Sequence, residues 1–164
     1  MSVISVDKDF EKLTLTLVAD LAAPPERVWE LWADPRQLER WWGPPGYPAT
    51  FEEHDLSPGG SVTYFMTGPD GEQYRGWWRV ASINAPKSLE FSDGFADKDG
   101  IPTEDMPVTT IQMELMEHEG GTRMELRSVF DSKEQMEQLD GMGMTEGLSQ
   151  AVGQMDALLT EDGR

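Results

Sequence analysis

Apolar and polar positions alternate with period two over residues 12–19, placing Leu13, Leu15 and Leu17 on one face of a predicted strand. Ala22-Ala23-Pro24-Pro25-Glu26 ends that strand and opens a helix, because proline suits a first turn whose backbone amides lack partners. Val28, Leu31 and Trp32 then recur at helical spacing. Asp34-Pro35 interrupts the run, and Leu38, Trp41 and Trp42 predict a second short helix.

Beyond Gly43-Pro44-Pro45-Gly46 the period changes to two and stays there. Residues 49–55 form a short strand, and Ser57-Pro58-Gly59-Gly60 a turn. Val62, Tyr64 and Met66 then alternate with polar or outward positions. After the turn Gly68-Pro69-Asp70-Gly71, residues 73–83 place Trp78 and Val80 on one face, with Trp77, Arg79 and Ala81 on the other. Leu89 and Phe91 share a face of a strand over 88–93, and residues 94–106 read as a long exposed loop. Ile111, Met113 and Leu115 define the next strand. A hairpin turn at 117–121 leads into its partner, with Met124, Leu126 and Phe130 on one side.

The last segment is helical, capped by Asp131 or Ser132 with Glu134 and Gln135 in its first turn. Met136, Leu139, Gly143, Gly147, Leu148, Ala151, Met155, Leu158 and Leu159 fall on one stripe. Gly141, Gly143 and Gly147 each weaken helix propensity by about 1 kcal/mol relative to alanine, which suits close packing or a kink near 141–143. The order predicts an α+β fold. One strand and two short helices precede a meander, giving a curved antiparallel sheet of six to seven strands wrapped around a long C-terminal helix. A single domain over 1–164 is expected, with its core at about 12–160.

Composition narrows the function classes. The 164 residues carry a formal charge of −18, which opposes binding to nucleic acid or anionic membrane. Cysteine is absent, excluding disulfides, thiolate metal sites and cysteine nucleophiles. The first seven residues do not read as a signal peptide, and no run approaches the roughly 20 apolar residues of a membrane span. A cytoplasmic protein without membrane insertion is expected. Six Trp, six Phe and ten Met supply much of the apolar area available to a core.

The motifs Ala23-Pro24-Pro25-Glu26-Arg27-Val28-Trp29-Glu30-Leu31-Trp32 and Leu38-Glu39-Arg40-Trp41-Trp42-Gly43-Pro44 carry a family resemblance. Asp55-Leu56-Ser57-Pro58-Gly59-Gly60, the Gly120-Gly121-Thr122 hairpin and the closing helix extend it from about residue 12 to 160. The chain resembles the superfamily of START lipid-transfer domains, pollen allergens (Bet v 1-like) and polyketide cyclases, known as SRPBCC. Within it, the chain is most similar to the family named for the C-terminal domain of the Hsp90 ATPase activator. That resemblance implies the helix-grip fold, with a hydrophobic cavity between sheet and long helix. It implies no single activity. The co-chaperone activity belongs to a larger architecture with an additional N-terminal domain, not found in these residues, so a chaperone partner is left open.

Candidate ligand-binding residues follow from the inward faces: Tyr64, Trp78, Phe91, Met113, Met124 and Phe130 from the sheet, and Leu148, Ala151 and Met155 from the helix. Trp41 and Trp42 stand either as core anchors or as an aromatic gate at the pocket mouth. His54, Arg75, Arg79, Arg123 and Arg127 are candidate polar pocket residues; pairing with surface carboxylates is the competing explanation for the arginines. His118 lies in a turn, and the two histidines accompany no compact metal motif. No nucleophile elbow, phosphate loop or dinucleotide fingerprint is present. No cofactor and no catalytic residue is assigned.

Binding or transport of a small hydrophobic or amphipathic ligand is the leading expectation, ahead of catalysis. The alternatives are a cyclase- or hydrolase-like enzyme using polar groups in the cavity, such as an acid with a tyrosine, and a stress- or chaperone-associated interaction domain. The interaction reading requires an exposed apolar patch around Trp41 and Pro44. Homodimerisation fits any of the three.

Overall fold

The computed structural model describes residues 3–161; the ends of the expected 1–164 domain, residues 1–2 and 162–164, lie outside the described residues. One antiparallel sheet organises the molecule. Its strands are β1 (Val3–Asp9), β2 (Thr14–Leu21), β3 (Ala49–His54), β4 (Ser61–Thr67), β5 (Gln73–Asn84), β6 (Ser88–Ala96), β7 (Thr109–His118) and β8 (Gly121–Val129). They lie in the order β1-β2-β8-β7-β6-β5-β4-β3. Helices α1 (Pro25–Ala33) and α2 (Pro35–Leu38) connect β2 to the opposite edge, and α3 (Lys133–Gly141) and α4 (Met144–Glu161) close the chain. This is the curved sheet around C-terminal helices that the hydrophobic pattern predicts, and the helix-grip fold that the resemblance implies.

Three expectations about the sheet and its first connection are corrected. The sheet has eight strands where six to seven were predicted, and the two short helices follow the second strand instead of the first. The missed strand is β1, an edge strand whose Ile4 and Val6 are 49% and 38% exposed, so it needs no apolar stripe. Leu13 is not in β2 at all. It sits at φ 57° in the preceding turn, and the buried face of β2 is Leu15, Leu17, Ala19 and Leu21.

The single C-terminal helix is two segments. Gly143 adopts φ +88°, where a side chain would be strained, and its amide bonds the Asp140 carbonyl at 3.0 Å. The chain turns there and α4 continues for 18 residues, about 27 Å at 1.5 Å per residue. Ser132 provides the cap of α3, accepting from the Gln135 amide at 3.2 Å. The expected loop over 94–106 is shorter, because β6 runs on to Ala96 and its return is tied by Thr103 N to Phe95 O at 2.9 Å.

The strand parity holds on the concave face. Leu17, Trp78, Phe91, Met113, Met124 and Leu126 are all essentially inaccessible, and Ala151, Val152 and Met155 of α4 pack into the same core. A smaller cluster of Leu15, Phe130, Met136 and Leu139 lies under α3. Burial of this aliphatic and aromatic area drives the sheet to close on the helix. No described helix is long and apolar enough to cross a membrane.

Candidate functional site

The concave face has two ends. At one, Trp32 of α1 and Trp41 and Trp42 beyond α2 meet Phe51, Tyr64, Trp78 and Phe91 of the sheet. Trp78 stacks on Phe91 with centroids 4.1 Å apart, Trp32 meets Trp41 edge-on at 4.8 Å, and Trp42 meets Trp78 edge-on at 4.9 Å. The Trp41 indole donates to the Leu31 carbonyl at 2.8 Å, locking the turn after α2 to α1. This end is filled.

The other end is hollow. A cavity of about 320 Å³ lies beneath the α3–α4 junction, between Leu139, Met142, Gly143, Met144, Gly147 and Leu148 and the facing strands. The sheet contributes Tyr64 and Met66 from β4, Gly76 from β5, Asp93 from β6, and Thr109 and Ile111 from β7. Trp42 and Pro44 close one side. Its volume is at the lower end of small-molecule sites, about 300–1,000 Å³.

Local sequence explains the opening. A Cβ on Gly76 would stand 2.5 Å from the Tyr64 ring, so the glycine lets that ring lie across β5. Gly147 presents no side chain toward the space; a Cβ there would meet only the Pro44 ring, at 3.9 Å. The rim is held by Gln154 of α4, whose side-chain amide donates to the carbonyls of Trp41 at 3.1 Å and Gly43 at 2.7 Å.

One polar pair stands in this apolar wall. The Tyr64 hydroxyl donates to Asp93 Oδ1 at 3.0 Å. Burial raises the Asp93 carboxyl to about 7, partly offset by the Tyr64 hydrogen bond, so it titrates near neutrality. Burial, reinforced by the Asp93 charge, pushes the Tyr64 hydroxyl well above its ordinary range. Tyr64 therefore remains a proton donor. The indole N–H groups of Trp42 and Trp78 face the Tyr64 oxygen, yet neither closes a hydrogen bond.

The candidate residues divide cleanly. Trp42, Tyr64, Leu148 and the rim residue Arg75 line the cavity. Trp41, Trp78, Phe91, Met113, Met124, Phe130, Ala151 and Met155 are buried in side-chain packing and do not line it. Trp41 is thus an anchor and not a gate.

The polar candidates mostly face outward, because they occupy the strand parity opposite to the core. Arg123 makes a double bond to Asp20 at 2.8 and 3.0 Å, Arg127 bonds Glu125 at 3.2 Å, and Arg79 is exposed. Arg75 directs its guanidinium to Glu52 Oε1 at 2.8 Å and over the Phe65 ring. His54 lies with Nε2 3.1 Å from the Trp32 carbonyl, outside the cavity.

Two residues at or beside the candidate site are not evident from the hydrophobic pattern. Asp93 ends the predicted strand over 88–93, yet Leu89, Phe91 and Asp93 share one parity and so point inward together. Gln154 sits one turn from Ala151 and Leu158 inside the apolar stripe, a polar interruption that marks a specific partner. Among the described residues, no group of three or more His, Asp or Glu could hold a metal ion.

Comparison with known proteins agrees with this fold. The family described as activator of Hsp90 ATPase homolog 1-like protein matches residues 22–160. A crystal structure of a Mycobacterium smegmatis protein is 52% identical, covers 96% of each chain and superposes with a TM-score of 0.89. A solution structure of an Arthrobacter aurescens protein is also 52% identical, covers 98% of this chain and 93% of its own, and gives 0.94. A Rhodobacter sphaeroides protein at 22% identity, covering 96% of this chain and 97% of its own, shares the fold with a TM-score of 0.80. No curated protein matches the chain.

Proposed function

This chain belongs to the activator of Hsp90 ATPase homolog 1-like family, and from that premise we propose that it binds or carries a small hydrophobic or amphipathic molecule in the cavity under the α3–α4 junction. The observation that carries this reading is the space itself. The concave face, dense at Trp78 and Phe91, stays open where Gly147 carries no side chain and the helix is broken at Gly143. Apolar walls supply affinity, and the Tyr64–Asp93 pair supplies orientation. The ligand-binding residues are then Trp42, Tyr64, Asp93 and Leu148, while the deeper aromatics support them from behind. The expectation of a cytoplasmic protein that avoids nucleic acid and membranes is kept as part of this reading.

Amide chemical-shift mapping with phenylbutanol as a neutral amphipathic probe tests it. Saturable shifts confined to Tyr64, Gly76, Asp93, Gly143 and Gly147 are expected. Shifts scattered over the outer face, or none, would refute it.

A second reading, acid/base catalysis in the same cavity, is favoured by one observation: a buried carboxyl titrating near neutrality beside a tyrosine that stays protonated. It requires a product whose formation disappears in Asp93→Asn. The interaction reading gains no support, since Trp41 is fully buried.

A further inference from the structure

Resting on the binding reading above, we propose that the ligand is an amphiphilic cation, with an apolar body in the cavity and one ammonium group against Asp93. Asp93 is the one carboxylate among the residues lining the cavity. Its Oδ1 accepts from Tyr64, and none of the described hydrogen bonds reaches its Oδ2.

The protein does not neutralise this charge from within. The titratable or charged side chains around the cavity are Tyr64 on β4, Tyr74 and Arg75 on β5 and Asp93 on β6; β7, α3 and α4 contribute none. Arg75, the only cation among them, is engaged on the outer face with Glu52 and Phe65. A buried carboxylate facing an unfilled space is costly until something positive pairs with it.

The aromatic lining complements the same ligand. Tyr64 bonds the carboxylate, Trp42 lines the same cavity with its ring 6.1 Å from that of Tyr64, and Tyr74 stands at the rim, 54% exposed. Such faces attract an ammonium group while covering its methylene chain. The formal charge of −18 raises the local concentration of cations and opposes anionic amphiphiles.

The test compares three probes sharing one apolar body: phenylbutylamine, phenylbutanol and phenylbutyrate, titrated calorimetrically into wild type and Asp93→Asn. In wild type above neutral pH the amine should bind at least about tenfold more tightly than the alcohol, and the carboxylate most weakly. Asp93→Asn should abolish the preference for the amine while retaining alcohol binding. The advantage of the amine should also fall severalfold as pH drops below 6, when Asp93 becomes protonated.

Equal affinity for amine and alcohol, or an amine preference that survives Asp93→Asn, would overturn the cation inference and leave the cavity reading standing. Failure of all three probes to bind would overturn both.

Discussion

The tryptophan end and the glycine end of the concave face are built on the same sheet with the same alternation, yet one is solid and the other hollow. Around Trp78 the rings of Phe51, Tyr64 and Phe91 close together, and Trp32 of α1 and Trp42 beyond α2 cover them. Beneath the α3–α4 junction, Gly147 carries no side chain into the space and the covering helix is broken at Gly143, while Gly76 makes room for the Tyr64 ring. Strand parity decides which residues point inward. Side-chain size and helix continuity decide whether the inside is filled. The proposed site is a place where packing is left incomplete, with one carboxyl group, that of Asp93, in its lining.

The comparison can be broken first at the solid end. Trp78→Ala should lower stability by about 3–5 kcal/mol, because the cavity it leaves cannot collapse against Phe91 and Trp42. Denaturant unfolding measures this. A loss below about 1 kcal/mol would mean that the aromatic cluster is loosely packed.

The hollow end should behave in the opposite way. A carboxyl raised from 3.8 to about 7 leaves folding unpenalised below about pH 4, and stability is lost as pH rises through about 7. The full penalty corresponds to about 4 kcal/mol at 1.36 kcal/mol per unit. Asp93→Asn should therefore be nearly neutral at about pH 4 and stabilising by about 2–4 kcal/mol at about pH 8.5. Thermal melts across that range measure the difference, and a gap that shrinks with rising pH would contradict the assignment.

Between the two ends runs the Gln154 tether. Gln154→Ala removes both bonds to Trp41 and Gly43 and should cost about 1–2 kcal/mol. Hydrogen exchange should rise in the 42–47 loop more than in β5. Uniform acceleration would show that the tether does not act locally.

Much of this arrangement is legible in the sequence, and the missing parts have physical reasons. Period-two runs mark β4 to β8 because each buries one face against the helix. The edge strand β1 escapes because it buries almost nothing. Trp42, Tyr64 and Leu148 are identifiable as wall residues, whereas Phe91 or Met113 look equivalent until packing shows them enclosed. The inward direction of Asp93 follows from its parity with Leu89 and Phe91. Its hydrogen bond does not, because Tyr64 lies 29 residues earlier and two strands away. The arginines were ambiguous for a related reason: Asp20 and Arg123 become neighbours only through the β2–β8 register.

The most direct measurement is the effect of Gly147→Phe on phenylbutanol binding. Position 147 is helical with an ordinary backbone, and a new side chain would enter the cavity past Pro44. Stability should change by less than about 1 kcal/mol, since phenylalanine is the better helix former. The account predicts that the filled variant folds normally and loses binding by at least about tenfold, or about 1.4 kcal/mol. Undiminished affinity in a folded Gly147→Phe protein would contradict it.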